Sequence, residues 1–155
     1  MANQIKWPTP GTYTTAIAGA GVAPTLKALA SNGRKLGSAI DTASGGKRDQ
    51  YADFDLQVRG ASAFTAGALI ELYLIPAVDG TNYTDGDDST DPPATTFVGA
   101  FPVRAVTTQQ RIALTRVPLP NTPFKPLIYN KAGQAFTNTD NENVLSYRTY
   151  NDEIQ

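Results

Sequence analysis

The chain contains neither cysteine nor histidine. The absence of cysteine excludes disulfides, thiolate metal sites and cysteine nucleophiles. The absence of histidine removes the commonest general base, the commonest metal ligand and the side chain that titrates near neutral pH. Any catalysis would therefore have to use carboxylates, lysines, tyrosines or hydroxyl groups.

Strong charge of one sign and long apolar runs are also absent. The 155 residues carry 13 basic and 14 acidic side chains, and the basic ones form no block, so we expect no nucleic-acid partner. The small apolar stretch 16–23 is broken by two glycines and is far shorter than the ~20 apolar residues that cross a bilayer. The opening MANQIKWPTP has no cationic segment followed by an apolar one, which argues against a signal peptide. We therefore expect no membrane partner.

Familiar catalytic and cofactor-binding motifs are missing as well. The segment GAGVAP, residues 19–24, departs from the dinucleotide-binding pattern G-x-G-x-x-G because Pro24 stands at the third glycine. No G-x-S-x-G nucleophile elbow occurs. We predict no catalytic residue, no cofactor and no enzymatic activity.

What the chain does contain is alternation of apolar and polar residues, the pattern of half-buried β-strands. In QYADFDLQVRG, residues 50–60, every second residue from Ala52 to Val58 is apolar. Comparable segments recur at 33–41, 68–77, 96–104, 110–117, 124–130 and 143–150, separated by clusters of Gly, Pro, Asn and Asp. The spacing favours an all-β fold of seven or eight strands, a β-sandwich or a barrel, with a jelly roll among the options. Of these we expect the antiparallel β-sandwich. The sequence NKAGQ, residues 130–134, predicts a hairpin turn with Gly133 in the left-handed conformation.

Residues 1–24 differ from the rest because they show no period and contain three prolines. We predict an extended N-terminal arm over 1–24 and a β-sandwich domain over 25–155. Trp7, Tyr13 and Ile17 are large side chains on this arm, and we predict that they contact a partner, since Trp and Tyr are enriched at interface hot spots. The alternative is that the arm folds back over its own sandwich and closes one sheet edge.

Two groups of aspartates are candidate sites. The loop Asp79–Asp91 holds five aspartates, but it lacks the order of a calcium-binding loop and contains two Asp-Gly turns. We predict that it faces solvent and holds no metal. Asp53 and Asp55 share one face of a strand and could serve as an acid–base pair. Because a polar outer face is usual in antiparallel sheets, we predict instead an ordinary solvated face, where Asp55→Ala costs less than about 0.5 kcal/mol.

Four segments carry a family resemblance: LIELYLIPAVDGTNYTDGD, FVGAFPVR, LPNTPFKPLIYNKAGQAF and LSYRTYNDEIQ. Together they resemble the capsid decoration, or cement, proteins of tailed bacteriophages, which have a jelly-roll fold. The resemblance covers residues 50–155. It implies a homodimer or homotrimer on the outer capsid surface of the virion, where it would bind the major capsid protein and bridge neighbouring subunits.

Other functions for a β-sandwich of this kind stay open. The main alternative is a carbohydrate-binding or receptor-binding module of a phage tail, which a row of exposed aromatic side chains beside the Asp79–Asp91 loop would support. A further alternative is a structural component of the tail or baseplate.

Overall fold

The computed structural model describes residues 5–6, 11–20, 23–43 and 47–154. Within these residues the chain forms ten strands and one 3₁₀ helix, Ala94–Thr96. No helix in this part of the chain is long and apolar enough to cross a membrane. The strands are β1 (Ile5–Lys6), β2 (Thr14–Ile17), β3 (Arg34–Leu36), β4 (Tyr51–Val58), β5 (Leu69–Pro76), β6 (Phe97–Pro102), β7 (Gln110–Pro118), β8 (Phe124–Lys131), β9 (Val144–Tyr150) and β10 (Glu153–Ile154).

Eight of these strands form two antiparallel four-stranded sheets. Sheet 1 has the order β2-β9-β4-β7, and sheet 2 has the order β3-β8-β5-β6. β1 and β10 form a separate two-stranded pair. The buried side chains of both sheets belong to one hydrophobic cluster, so the sheets pack face to face. The antiparallel β-sandwich predicted from the alternating pattern is confirmed.

The pairing joins the first half of the chain to the second half in reverse order. β1 pairs with β10, β2 with β9, β3 with β8, β4 with β7 and β5 with β6, always antiparallel. From β2 to β9 every connection except the one between β5 and β6 passes from one sheet to the other. The chain is therefore a long two-stranded ribbon, turned back between β5 and β6 and folded over itself into two sheets.

Residues 130–134 do not form the predicted hairpin turn. Gly133 does have the expected left-handed conformation, with φ of +77°. However, β8 lies in sheet 2 and β9 lies in sheet 1. The segment therefore begins a crossover between sheets, which local turn chemistry cannot distinguish from a hairpin.

The core follows the alternation of β4. Ala52, Phe54, Leu56 and Val58 are all fully buried, and burial of each large apolar side chain contributes about 1.5–3 kcal/mol. Across the sandwich they meet fully buried side chains of sheet 2. Those side chains are Ile70 and Leu72 of β5, Phe101 of β6 and Ile128 of β8.

β2 corrects the predicted boundary between arm and sandwich. Thr14–Ile17 pairs with β9 at the edge of sheet 1, and Ile17 is fully buried in the core. Residues 14–17 are thus part of the sandwich. We predicted that Ile17 contacts a partner, but its side chain packs in the core. The segment pairs because its β-branched residues suit a strand and because it covers the open edge of β9. Trp7 lies outside the described residues.

Two truncations test this boundary. Removal of residues 2–12 leaves β2 intact, and we expect nearly unchanged stability because a two-stranded pair as short as β1·β10 is marginal on its own. Removal of residues 2–20 also deletes Ile17. We expect this truncation to lower the free energy of unfolding by about 2–5 kcal/mol or more. Urea unfolding followed by circular dichroism measures both. A 2–20 truncation as stable as the full chain would contradict the assignment of β2 to the sandwich.

Candidate interaction surface

The outer face of sheet 1 is rich in arginine and tyrosine side chains. Residues directly opposite each other on paired strands project to the same face, and the register aligns Tyr51 with Tyr150 and Asp53 with Arg148. We call this surface the arginine–tyrosine face. It comprises Tyr13, Tyr51, Asp53, Asp55, Arg111, Arg116, Arg148 and Tyr150.

Asp53 is the buried centre of this face, with 5% of its surface exposed. Its Oδ2 accepts hydrogen bonds from Nε and Nη2 of Arg148 at 2.9 and 2.7 Å. Its Oδ1 accepts from the backbone amide of Arg116 at 2.9 Å and from the hydroxyl of Tyr150 at 3.1 Å. Burial alone would raise the pKa of Asp53, but these hydrogen bonds outweigh it and hold the pKa below its usual value. Asp53 is thus an ionised support for the arginines around it.

A β-bulge in β7 brings Arg116 onto the face. Ala52 pairs with Val117 and Phe54 pairs with Leu114, so two residues of β7 stand opposite Asp53 alone. Arg116 has φ of +55°, a left-handed conformation that glycine usually adopts in bulges. Strained residues of this kind cluster at functional sites. The conformation therefore motivates the hypothesis that the Arg116 side chain has a function.

The guanidinium of Arg116 is held at two points. Nη1 and Nη2 donate to the two carboxylate oxygens of Asp152 at 3.1 and 2.6 Å. The guanidinium carbon also lies 4.3 Å from the centre of the Tyr51 ring, within range for a cation–π interaction. The ring of Tyr51 in turn packs near Tyr150, with centroids 6.0 Å apart. The side chain therefore has a fixed position at the surface.

Tyr13 joins the face from the N-terminal side. It precedes β2, is 37% exposed, and lies under Arg148, whose guanidinium carbon is 5.1 Å from the ring centre. Of the three residues predicted to contact a partner, Tyr13 is the one that the structure places on this face.

Asp53 and Asp55 lie on the outer face as predicted, but they are not solvated. Each is only 5% exposed, because arginines from neighbouring strands cover them. Nε of Arg111 donates to both carboxylate oxygens of Asp55 at 2.9 Å. The expected small cost of Asp55→Ala assumed an exposed side chain and therefore loses its basis. The arginines at outward positions of β7 and β9 could have indicated that the two aspartates are covered. The sequence analysis did not pair these arginines with the aspartates.

The Asp79–Asp91 loop organises its own turns. All five of its aspartates are exposed, as predicted. The pKa of Asp79 is lowered to about 2, chiefly because the side-chain amide of Asn82 donates a hydrogen bond to its carboxylate. The amide of Ser89 donates to Oδ1 of Asp87 at 2.7 Å, and the amide and hydroxyl of Ser89 lower the pKa of Asp87 to about 2. These carboxylates act as caps of tight turns.

The same loop is fastened to the edge of sheet 2. Asp91 forms a salt bridge with Arg34, and Asp88 forms one with Lys35. The backbone amide of Leu36, on the edge strand β3, donates to Oδ1 of Asp88 at 2.7 Å. Occupied edge amides are protected from pairing with another chain. Among the described residues, no group of three or more acidic side chains is arranged to hold a metal ion.

No protein-family model, curated protein or solved structure matches the chain. What the protein does must therefore be inferred from the chemistry of its two outer faces and from its sequence.

Substitution of Asp53 tests the central support of the face. We expect Asp53→Asn to cost about 3 kcal/mol at pH 7, because it breaks a largely buried ion pair. Asp140→Asn, which breaks the exposed pair with Lys27, is the control and should cost less than about 1 kcal/mol. Urea unfolding of the three proteins measures these differences. Equal costs for both variants would contradict the role of Asp53.

The contribution of Asp53 also has a defined pH dependence. Its folded pKa lies below the unfolded one, so its stabilising effect is complete above the unfolded value of about 3.9 and is lost as the pH falls through the folded value. We expect the difference in stability between wild type and Asp53→Asn to be constant from pH 7 to 5 and to shrink below about pH 4. A difference that grows on acidification would contradict this.

Calcium titration tests the loop. Because Asp79 and Asp87 are used in turns and Asp88 and Asp91 in salt bridges, we expect isothermal titration calorimetry to detect no stoichiometric binding of Ca²⁺. Binding that disappears in the Asp87→Ala variant would show that the loop is a metal site.

Proposed function

We propose that the protein is a structural virion protein that binds the outer surface of a phage capsid and stabilises it by bridging major capsid protein subunits. The observation that carries this proposal is the arginine–tyrosine face. Arginine and tyrosine are enriched in protein–protein interfaces and at their hot spots. The sequence resemblance to capsid decoration proteins points in the same direction.

As part of this proposal the sandwich is a jelly roll. Its support is the ribbon order, in which β2 to β5 pair in turn with β9 to β6 and the connections cross between sheets. A double sheet of eight strands built from two Greek keys is the usual description of that topology. Capsid proteins are among the proteins that use it.

The face suits docking because its charges are already compensated. Arg148 pairs with Asp53, Arg111 with Asp55 and Arg116 with Asp152. A partner that covers the face therefore buries no uncompensated carboxylate, which would cost affinity. The arginines are held in place before binding, and this lowers the entropic cost of association.

The mechanism is thermodynamic. A protein that binds the assembled shell and not the free subunits stabilises the shell by mass action. Contacts with two neighbouring subunits at once add avidity to each single contact. A homodimer or homotrimer on the particle increases this effect further, and no covalent chemistry is required.

The carbohydrate-binding alternative depends on aromatic rings near the Asp79–Asp91 loop. Nζ of Lys125 lies 4.2 Å from the ring centre of Tyr83. The guanidinium carbon of Arg34 and Nζ of Lys131 lie 5.1 and 4.7 Å from the ring centre of Tyr129. Tyr73 is 8% exposed and donates its hydroxyl to Glu71 at 2.7 Å. Ring faces covered by cations are less open to stacking with sugars. The rings on sheet 2 therefore give the carbohydrate-binding alternative less support than the arginine–tyrosine face gives protein binding.

Binding to empty capsids of the encoding phage tests the proposal. Tyr13→Ala removes an exposed ring of the face, and Arg116→Gly removes a side chain while it relieves the backbone conformation. We expect each to weaken binding about tenfold or more, the effect of losing ~1.4 kcal/mol or more at a hot spot. Phe97→Ala, which removes a 47% exposed ring on sheet 2, is the matched control and should bind as the wild type does.

Sedimentation of capsids with increasing amounts of protein gives the affinity and the stoichiometry. Heating of decorated and bare capsids tests stabilisation. A wild-type protein that neither sediments with capsids nor raises their melting temperature would overturn the proposal, and binding on a glycan array would then favour the alternative. If the face variants bind normally and Phe97→Ala does not, sheet 2 is the docking surface.

A further inference from the structure

Arg111 donates hydrogen bonds to Asp55 through its Nε, and its two Nη groups point away from that contact. Its Nε contacts both oxygens of Asp55. The Asp55 side chain is 6% exposed, whereas that of Arg111 is 66% exposed. Within the described ranges no residue accepts a hydrogen bond from Nη1 or Nη2 of Arg111. The two nitrogens that form the fork of an arginine are therefore available at the surface.

This orientation is fixed by Asp55. If Arg111 turned away, a buried carboxylate would be left without its cation, which is strongly unfavourable. The usual cost of ordering a long side chain on binding is therefore largely met before a partner arrives. An arginine held in this way presents a rigid donor pair, which a flexible lysine ammonium cannot do.

The surroundings of Arg111 form a shallow groove. The groove is lined by Gln57, Gln109, Gln110 and Arg111. Gln110 is buried and its amide group exchanges two hydrogen bonds with the backbone of Arg104, at 2.8 and 3.0 Å. The other described residues that line the groove are uncharged glutamines, so Arg111 is the charged group among them.

We infer that Arg111 binds a carboxylate, the side chain of an aspartate or glutamate on the capsid partner, through its two Nη groups. Two parallel N–H···O bonds to a carboxylate are the preferred use of an arginine fork. Arg111 is the one charged side chain among the described residues that line the groove, which suits a single carboxylate. A polyanion such as nucleic acid fits less well, because the chain carries net charge −1 and no basic block. The identity of the partner rests on the proposed function; the carboxylate preference rests on Arg111 and its groove.

Arg111→Lys tests the fork because it keeps the charge and removes the bidentate geometry. We expect capsid binding to weaken about tenfold, as for the loss of one charge-assisted hydrogen bond. Arg34→Lys, a change on sheet 2 next to the Asp79–Asp91 loop, is the matched control and should leave binding unchanged. Urea unfolding of both variants establishes that they are folded under the assay conditions.

Acetate is the direct probe of the site. In ¹⁵N-labelled protein we expect acetate to shift the Nε–H signal of Arg111 and the side-chain amide signal of Gln57 in a saturable way. Chloride at the same ionic strength should not do so, and Arg111→Lys should abolish the shift at Gln57. Equal responses to acetate and chloride would overturn the inference.

The outcomes separate the inference from the proposed function. If Tyr13→Ala weakens capsid binding and Arg111→Lys does not, the docking face stands and the role of Arg111 is wrong. If the wild type fails to bind capsids, the proposed function is wrong, and the acetate titration alone decides whether Arg111 is a carboxylate site.

Discussion

The fold and its outer surface both depend on β4, a central strand that is buried on both sides. One side packs apolar residues such as Phe54 into the core, and the other side places two carboxyl side chains, Asp53 and Asp55, where water hardly reaches them. Buried carboxylates require cations and hydrogen-bond donors close by. β9 supplies Arg148 and β7 supplies Arg111, one on each side of β4. The arrangement of arginines on sheet 1 follows from this requirement.

The ion pairs also contribute to the register of sheet 1. A slip of one residue would exchange the two faces of β4 and bring carboxylates into the core. The bulge in β7 serves the same arrangement, because it turns the amide of Arg116 toward Asp53. Buried ion pairs add little net stability compared with apolar packing. Their effect here is to fix which residues of three strands meet and which side chains reach the surface.

This dependence explains how far the sequence could predict the structure. Alternation around Phe54 and Leu56 identified the strands and the core-facing side correctly, because that pattern is local. Burial of Asp53 could not be predicted in the same way, since its cover comes from Arg148, 95 residues further along the chain. β2 was missed because a four-residue strand among glycines and prolines carries too few residues to show a period. Its pairing is set by the open edge of β9.

Cations lie over tyrosine rings on both outer faces of the sandwich. On sheet 2 the Asp79–Asp91 loop also occupies the edge of β3. On sheet 1 Arg111 and Arg116 pair with carboxylates and still expose 66% and 43% of their side chains. Tyr13, which is 37% exposed, adds an aromatic ring to this face beside Arg148. The positions of Arg111 and Arg148 on the face thus follow from the carboxylates of β4 beneath them.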